Sequence, residues 1–439
     1  MPANLLAQVG ERYVTVEELF QRAELSPPPS FRTVNGYSSK RGLLELLIGE
    51  KLLANEAATL QWDREEAFKQ WRHYTENLAI AKQLYREQVL GKIDLHEGEI
   101  DTAIMRAQKS LRMKFFRSSS REEAERFARL AHERGAFDHV MQMLSGPGAE
   151  ATEYTSNFTF GDGDELLEDA VFALPVGQIS QVILTARGFF VVQVLGGQHH
   201  LTFSQQAYSQ QRTAVQKILR RRAADRLSAQ YVQQFMRDKK VVLKGRVFSL
   251  LAEALSKHLD FEMRANLPAL QPLEEIDYDQ TEQELGNLLL DDALIIFAGG
   301  QWTMREALEK LRLRNLPFDR QSLQAMRETL ENDLQSLVRD EFLAEEGRRR
   351  GLNKHPAVSE ETRMWVDHHL YTRMVQRLEL QPQKGETIHF PAAVLSLKEK
   401  YGANVYEENL QAVEISDIKL MAVHPGRPHL LAVPLWPLF

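Results

Sequence analysis

Cysteine is absent from all 439 residues. No disulfide, thiol nucleophile or thiolate-bound metal can form, and a chain without thiols suits an oxidising compartment. Long apolar runs are lacking too. The strongest, Ala293-Leu-Ile-Ile-Phe-Ala, has strand length, well short of the ~18 residues that span a bilayer, so no transmembrane helix is predicted. Met1-Pro-Ala-Asn-Leu-Leu lacks the basic and apolar regions of a signal sequence; an exported protein would then be a mature or trimmed form. Excess positive charge is missing. The 54 Lys and Arg against 61 Asp and Glu give a net charge of −7, which argues against nucleic-acid binding through bulk charge. No Gly-rich phosphate loop, Ser-His-Asp arrangement or HExxH motif occurs. No cofactor and no metal site are expected.

What is present is mostly helical pattern. Residues 6–15 read as a short strand and turn, and Thr15 with Glu18 has capping-box spacing before a helix from Val16 to about Ala23. Pro27, Pro28 and Pro29 then stop the helix. From about Arg41, Leu43, Leu44, Leu46, Leu47, Leu52 and Leu53 recur with a helical period, with Glu45, Glu50 and Lys51 between them. Residues 63–89 form another charged helical pattern, and a third begins at Leu95. Charged helices with one apolar stripe pack as an open bundle.

The pattern then switches. Met113 to Phe116 is strand-like, and Ser119 or Ser120 caps a helix with Ala124, Phe127, Ala128, Leu130 and Ala131 on one face. Residues 145–149 form a loop, 166–172 a short helix and 188–194 an apolar strand. This order defines an α+β domain. Residues 203–240 return to helix, and Val241-Val-Leu reads as a strand. The acidic, proline-containing stretch 268–284 reads as a linker, since it offers little apolar surface to bury.

The chain also repeats itself. Val9-Gly-Glu-Arg-Tyr-Val-Thr-Val-Glu-Glu-Leu matches Phe297-Ala-Gly-Gly-Gln-Trp-Thr-Met-Arg-Glu-Ala-Leu, with Thr15 against Thr303 and Glu18 against Glu306. The helix around Ala54 and Glu56 matches that around Ala344 and Glu346. More loosely, residues 235–243 match 397–405. The expected fold is therefore multidomain and mainly α, with an α+β domain inserted in the first of two helical modules. Residues 1–110 begin the first module, 111–200 are the α+β domain and 201–265 complete the first module. Residues 266–290 are a linker, 291–425 the second module without an insert, and 426–439 an apolar tail.

Three stretches carry a family resemblance: the strand-Thr-x-Glu-Glu-Leu opening, the Leu-Ile-x-Glu-Lys-Leu-Leu-x-x-Glu-Ala helix, and Glu168-Asp-Ala-Val-Phe-Ala-Leu-Pro-Val-Gly-Gln-Ile-Ser with Thr185-x-x-Gly. On these the chain resembles the SurA/PrsA/PpiD group of extracytoplasmic foldases, over most of residues 5–260 and again over 292–415. The resemblance implies a parvulin-like domain of the peptidyl-prolyl isomerase type between SurA-like helical chaperone segments. The family's site holds two histidines on adjacent strands, a Cys or Asp, and a proline pocket of Met or Leu with Phe. Here the histidine positions fall on Phe115 and Phe190 and the Cys/Asp position near Pro147. The pocket Phe falls on Leu167 and the Met/Leu position near Gly163. Ser156-Asn-Phe-Thr-Phe-Gly replaces the usual Gly-Gly-Asp-Leu-Gly. Phenylalanine can neither exchange a proton nor hydrogen-bond through its side chain, so catalytic residues are expected to be none. His132 and His139 lie nearby in sequence, on the helical segment rather than on the strands.

The pairs His199-His200 and His368-His369 are adjacent in sequence, which points their rings apart, and they read as exposed or edge histidines. Arg220, Arg221 and Arg222 read as a solvated helix face, with an acidic partner or lipid headgroup as the alternative. The tail from Pro425 to Phe439, punctuated by prolines and ending Leu-Trp-Pro-Leu-Phe, reads as strapped across its own helical module. The alternative is an anchor into an envelope complex or a membrane surface. The leading functional expectation is an ATP-independent, periplasmic or otherwise extracytoplasmic chaperone that binds unfolded or outer-membrane polypeptide clients. An active prolyl isomerase and a structural subunit of an envelope assembly are the alternatives.

Overall fold

The computed structural model describes residues 4–27, 29, 36–145, 154–200, 204–258, 277–314, 322–380, 390–415, 422–424 and 427–438. It divides into two compact units. One is Met1–Arg86 with Phe235–Phe439; the other is Glu87–Gln234.

The first unit opens with a hairpin, β1 (Leu5–Val9) and β2 (Arg12–Thr15), then α1 (Val16–Leu25), α2 (Tyr37–Thr59) and α3 (Glu66–Gln88). The second unit follows with α4 (Glu97–Ala107), β3 (Lys109–Ser118), α5 (Arg121–Arg134), α6 (Phe137–Ser145), β4 (Thr155–Phe158), α7 (Glu165–Ala173), β5 (Ile183–Thr185), β6 (Gly188–His199) and α8 (Gln205–Met236). The chain then re-enters the first unit through β7 (Val242–Leu243), α9 (Gly245–Ser256) and α10 (Tyr278–Leu290). A second hairpin, β8 (Ala293–Phe297) and β9 (Gly300–Thr303), leads into α11 (Met304–Arg314), α12 (Leu323–Arg349) and α13 (Pro356–Arg377). The chain ends with α14 (Ala392–Tyr401), β10 (Asn404–Val405), α15 (Glu407–Ala412), β11 (Val423–His424) and β12 (Arg427–Leu431).

The repeat is visible in this order: hairpin, short helix, long helix, long helix, twice. Both threonine caps form. Thr15 Oγ1 accepts from the Glu18 amide at 3.1 Å and Thr303 Oγ1 from the Glu306 amide at 3.3 Å. Only the second is a reciprocal capping box, with Glu306 Oε2 accepting from the Thr303 amide at 2.7 Å. In the first copy the Glu18 carboxylate points instead to the Lys51 ammonium, 2.6 Å away.

The modules do not close as expected from sequence. Residues 201–265 were expected to complete the first module, but β7 pairs antiparallel with β8 of the second hairpin, Val242 opposite Ile296 and Leu243 opposite Ile295. The reciprocal strand, β10, pairs with β1, Ala7 opposite Val405 and Gln8 opposite Asn404. The sheets run β10-β1-β2 and β7-β8-β9. Each half thus lends its closing strand to the other. The cores follow the exchange. Leu43, Leu47 and Leu53 of α2 cluster with Leu370 and Met374 of α13, Val394 of α14 and Leu410 of α15. Leu251 and Leu255 of α9 cluster with Leu294, Leu308, Leu330 and Leu334 of the second half. The two closing strands match only loosely in sequence, Val242-Leu243 against Asn404-Val405.

A second correction concerns the linker expected over 266–290. Residues 278–290 are the helix α10. Asp277 caps it, its Oδ1 accepting from the Gln280 amide at 2.8 Å. Thr281, Leu285 and Leu290 are buried. The acidic side chains look outward to cations: Asp279 and Glu282 to Arg312, Glu284 to Lys257. A narrow apolar face sufficed, because the charges on the other side are matched.

Between α1, α2 and α13 lies a buried ionic cluster. Arg22 grips Glu50 through both oxygens at 2.8 Å. Lys51 meets Glu18 at 2.6 Å, Asp367 at 2.8 Å and Glu50 at 3.3 Å. Arg363 reaches Glu18 at 3.2 Å and Glu360 at 2.6 Å, and Arg12 binds Asp367. Burial alone would raise the Glu50 pKa; Arg22, Lys51 and the His368 hydrogen bond outweigh it and hold the carboxyl well below the usual range. Burial likewise opposes the Lys51 charge, yet Asp367, Glu18 and Glu50 raise its pKa.

The histidine pair 368–369 belongs here too, neither exposed nor at an edge. His368 Nδ1 lies 2.9 Å from Glu50 Oε2, and His369 packs against Trp71 with centroids 4.1 Å apart and the rings tilted by 32°. The tail packs inward, as its strap reading expected. Trp436 is buried in the α2–α13 core, and Val433 is buried as well. Arg22 donates to the Leu435 carbonyl at 2.5 Å, and the Tyr371 hydroxyl donates to the Leu438 carbonyl at 2.6 Å. Among the described residues no helix is long and apolar enough to cross a membrane.

Candidate functional site

The second unit is built on a four-stranded antiparallel sheet ordered β4-β3-β6-β5. Side chains alternate across β3. Phe116 points to α5, stacked on Phe127 at 4.3 Å, over a core with Phe137, Val140 and Val191. Met113 and Phe115 point the other way, toward α7, and cluster with Phe158, Leu167, Val171, Phe190 and Val192. The Thr185–Gly188 turn fixes the start of β6. Thr185 Oγ1 accepts from the Arg187 amide and donates to the Gly188 carbonyl, both at 3.0 Å. Gly188 has φ +113°, and a Cβ there would sit 2.6 Å from the Ser118 carbonyl oxygen, so only glycine fits.

On the α7 face a cavity of about 450 Å³ opens. Met113, Phe115 and Arg117 of β3 form its floor with Phe190 of β6. Asn157 and Phe158 of β4, the loop Asp162–Asp164 and Leu167 of α7 form one wall, and Thr185 and Arg187 another. The sequence-expected positions Phe115, Phe190, Leu167 and Gly163 therefore all line one cavity. Pro147 lies outside the described residues. Phe115 and Phe190 have ring centroids 6.4 Å apart, tilted 40°. They are diagonal neighbours, because Phe115 is opposite Val192 and Phe190 opposite Arg117.

Sequence reasoning missed Phe158. A Cβ on Gly163 would lie 2.8 Å from its ring, so this phenylalanine fills the space beside the expected Met/Leu position. Its place in Ser156-Asn-Phe, where the family stretch is replaced, was the available signal.

The chemistry of the lining is limited. Its titratable groups are Asp162, Asp164, Arg117 and Arg187. The carboxylates hold the loop: Asp162 Oδ2 accepts from the Thr159 amide and hydroxyl at 2.7 and 2.8 Å, and Asp164 Oδ1 accepts from the Leu166 amide at 3.0 Å, capping α7. His132 bonds the Ser180 carbonyl at 3.2 Å and His139 bonds Arg134 at 3.1 Å; neither lines the cavity.

Arg222 secures this wall from α8. Its guanidinium binds both oxygens of the buried Glu168 at 2.8 Å and lies 5.0 Å over the Phe160 ring; Glu168 also accepts from the Gly161 amide at 2.7 Å. The Glu168 hydrogen bond raises the Arg222 pKa. Of the three arginines expected on a solvated face, Arg220 and Arg221 are exposed and Arg222 is not. His199 and His200 are exposed, as expected.

Residues 103–205 match the family model of the PPIC-type PPIase domain. The chain thus carries a parvulin-type domain over these residues. Among solved structures, the chain is similar to the peptidylprolyl isomerase PrsA from Bacillus anthracis at 12% identity, covering 43% of this chain and 96% of that one with a TM-score of 0.24. It is similar to a structure from the study of the SurA-like chaperones PEB4 and Cj1289 of Campylobacter jejuni at 17% identity, covering 49% and 89% with a TM-score of 0.22. For the foldase PrsA from Streptococcus pneumoniae the figures are 12%, 50%, 91% and 0.23. No curated protein matches the chain in sequence.

Proposed function

We propose that the protein is an ATP-independent extracytoplasmic chaperone that holds unfolded polypeptide, with a parvulin-like domain that has no isomerase chemistry. The observation behind this reading is the Phe115–Phe190 pair, at the positions where the family resemblance expects two histidines. Rotation about an X-Pro bond has a barrier of roughly 18–20 kcal/mol. A pocket floored by Met113, Phe115 and Phe190 beside Arg117 can bind an apolar side chain, and neither phenylalanine can exchange a proton or hydrogen-bond to the amide through its side chain. The clients would be unfolded or outer-membrane polypeptides, and the absence of cysteine fits a periplasmic location. Two measurements on the purified protein test the reading. Aggregation of an unfolded client should be suppressed, and isomerisation of a proline peptide should proceed at the uncatalysed rate. No suppression at excess protein would sink the chaperone reading. Isomerisation well above background would favour the active isomerase that the PPIC-type match makes the second reading.

A further inference from the structure

The charges on the two faces of α7 are used differently. On the outer face Asp169, Glu168 and Glu165 are matched by Arg106, Arg222 and Arg226. On the face with Leu167, two arginines line the cavity, and their guanidiniums are unmatched. Arg117 stands on β3 two residues after Phe115, hence on the same face, with its backbone opposite Phe190. Arg187 lies in the turn before Gly188. Both are exposed, and among the described residues neither side chain makes an ion pair or a hydrogen bond. The lining carboxylates do not pair with them. Asp162 is bonded to Thr159, and Asp164 caps α7. An apolar floor is therefore bordered by two cations that the fold itself does not satisfy. A guanidinium is well shaped to receive a carboxylate through two hydrogen bonds.

We propose that this cavity selects polypeptide segments in which an apolar side chain adjoins a carboxylate. The apolar group settles on Met113, Phe115 and Phe190, and Arg117 and Arg187 receive the carboxylate. The volume of about 450 Å³ suits such a group. The carboxylate is that of an Asp or Glu beside the apolar residue, or that of a chain end whose last residue is apolar. The proposal deepens the holding role given above, and rests on it for the nature of the ligand, unfolded polypeptide. It needs no isomerisation, since it asks only for an apolar contact and charge complementarity.

Binding of three labelled peptides to the full-length protein, followed by fluorescence anisotropy at low salt, tests this. Each peptide carries one Phe. The first is amidated with Glu beside the Phe, the second is amidated with Gln there, and the third has Gln there and ends on the Phe with a free carboxylate. The first, the third or both should bind about tenfold tighter than the second, and added salt should shrink the advantage, as for partly exposed ion pairs. An advantage of the first assigns the carboxylate to a side chain, and an advantage of the third to a chain end. The Arg117→Gln/Arg187→Gln variant should lose the advantage and keep its affinity for the neutral peptide; both positions are exposed, so the core is spared. Arg117→Lys/Arg187→Lys should recover part of it. Equal affinity for all three peptides, binding of none, or an advantage that survives the Gln variant overturns the proposal. Suppression of client aggregation is read separately. A protein that suppresses aggregation without the preference keeps the chaperone reading and loses this one, and the preference without suppression does the reverse.

Discussion

Phe115 and Phe190 sit diagonally across the β3–β6 ladder, their ring centroids 6.4 Å apart, at one end of a cavity shared with Leu167 and Gly163. The family resemblance expects histidines at these two positions, and the side chains there are apolar rings. Phe190→Ala should therefore cost about 3 kcal/mol of stability, because the residue is buried in the core against α7, and leave peptide isomerisation at the uncatalysed rate. Chemical denaturation with a proline-peptide assay on the same sample checks both. A drop in isomerisation on substitution would mean the ring takes part in catalysis.

Lys51 lies within ion-pair distance of three carboxylates inside the first unit, Glu18, Glu50 and Asp367. Lys51→Met keeps the apolar stem and removes the charge, leaving Glu18 and Asp367 short of a buried partner. The expected loss is about 3–5 kcal/mol, read as a fall in the denaturation midpoint. The cation substitutions Arg22→Met and Lys51→Met should combine non-additively, since both serve Glu50.

Stability should fall on acidification from about pH 6.5 to about pH 4. Burial lowers the pKa of His369 to about 4 and that of His368 below its usual value. A group whose folded pKa is depressed contributes fully above its unfolded pKa and loses that contribution as pH falls through the folded one. Around the pair, Arg22, Lys51 and Arg373 repel an added proton, and Glu50 and Glu65 attract one. For the partly exposed His369 the effect is on the order of 1–2 kcal/mol. His369→Gln should flatten the stability profile over this window; an unchanged slope would show that the ring does not drive it.

The tail is part of the core. Trp436→Ala should destabilise the first unit by about 3 kcal/mol, since the indole packs among α2 and α13. Hydrogen exchange resolved by segment should show the loss around α2 and α13 while the parvulin-like sheet keeps its protection. Equal loss in both units would count against this placement.

Arg222→Ala removes the partner of a fully buried carboxylate, Glu168. The expected cost is about 3 kcal/mol or more. Arg222→Ala with Glu168→Gln should recover part of it, because the amide carries no charge to strand.

Much of the architecture was legible in local chemistry. The capping threonines, the proline stop after α1, the Thr185–Gly188 turn and the switch from helical to alternating pattern at β3 are short-range signals. Four of the cavity's lining positions, Phe115, Gly163, Leu167 and Phe190, are ones that the family resemblance marks. Three things were not legible. Glu50 and Lys51 sit inside a leucine stripe and look like its polar side, yet both are wholly buried. Acidic 278–290 looks like a linker, yet Thr281, Leu285 and Leu290 give it one face to bury. Phe158 fills its space only once β4 is placed.

Composition and spacing by themselves determined that the chain has no thiol chemistry and that its helical pattern comes in two copies. Only the tertiary structure decided which copy completes which. β7 and β10 match only loosely in sequence, and a strand edge offers the same backbone groups to either. Val405, and not Leu243, neighbours the first hairpin, in the same unit where α13 sets Asp367 against Lys51 and Leu370 against the leucines of α2. Matching of charge and volume across some three hundred residues cannot be read from either strand alone.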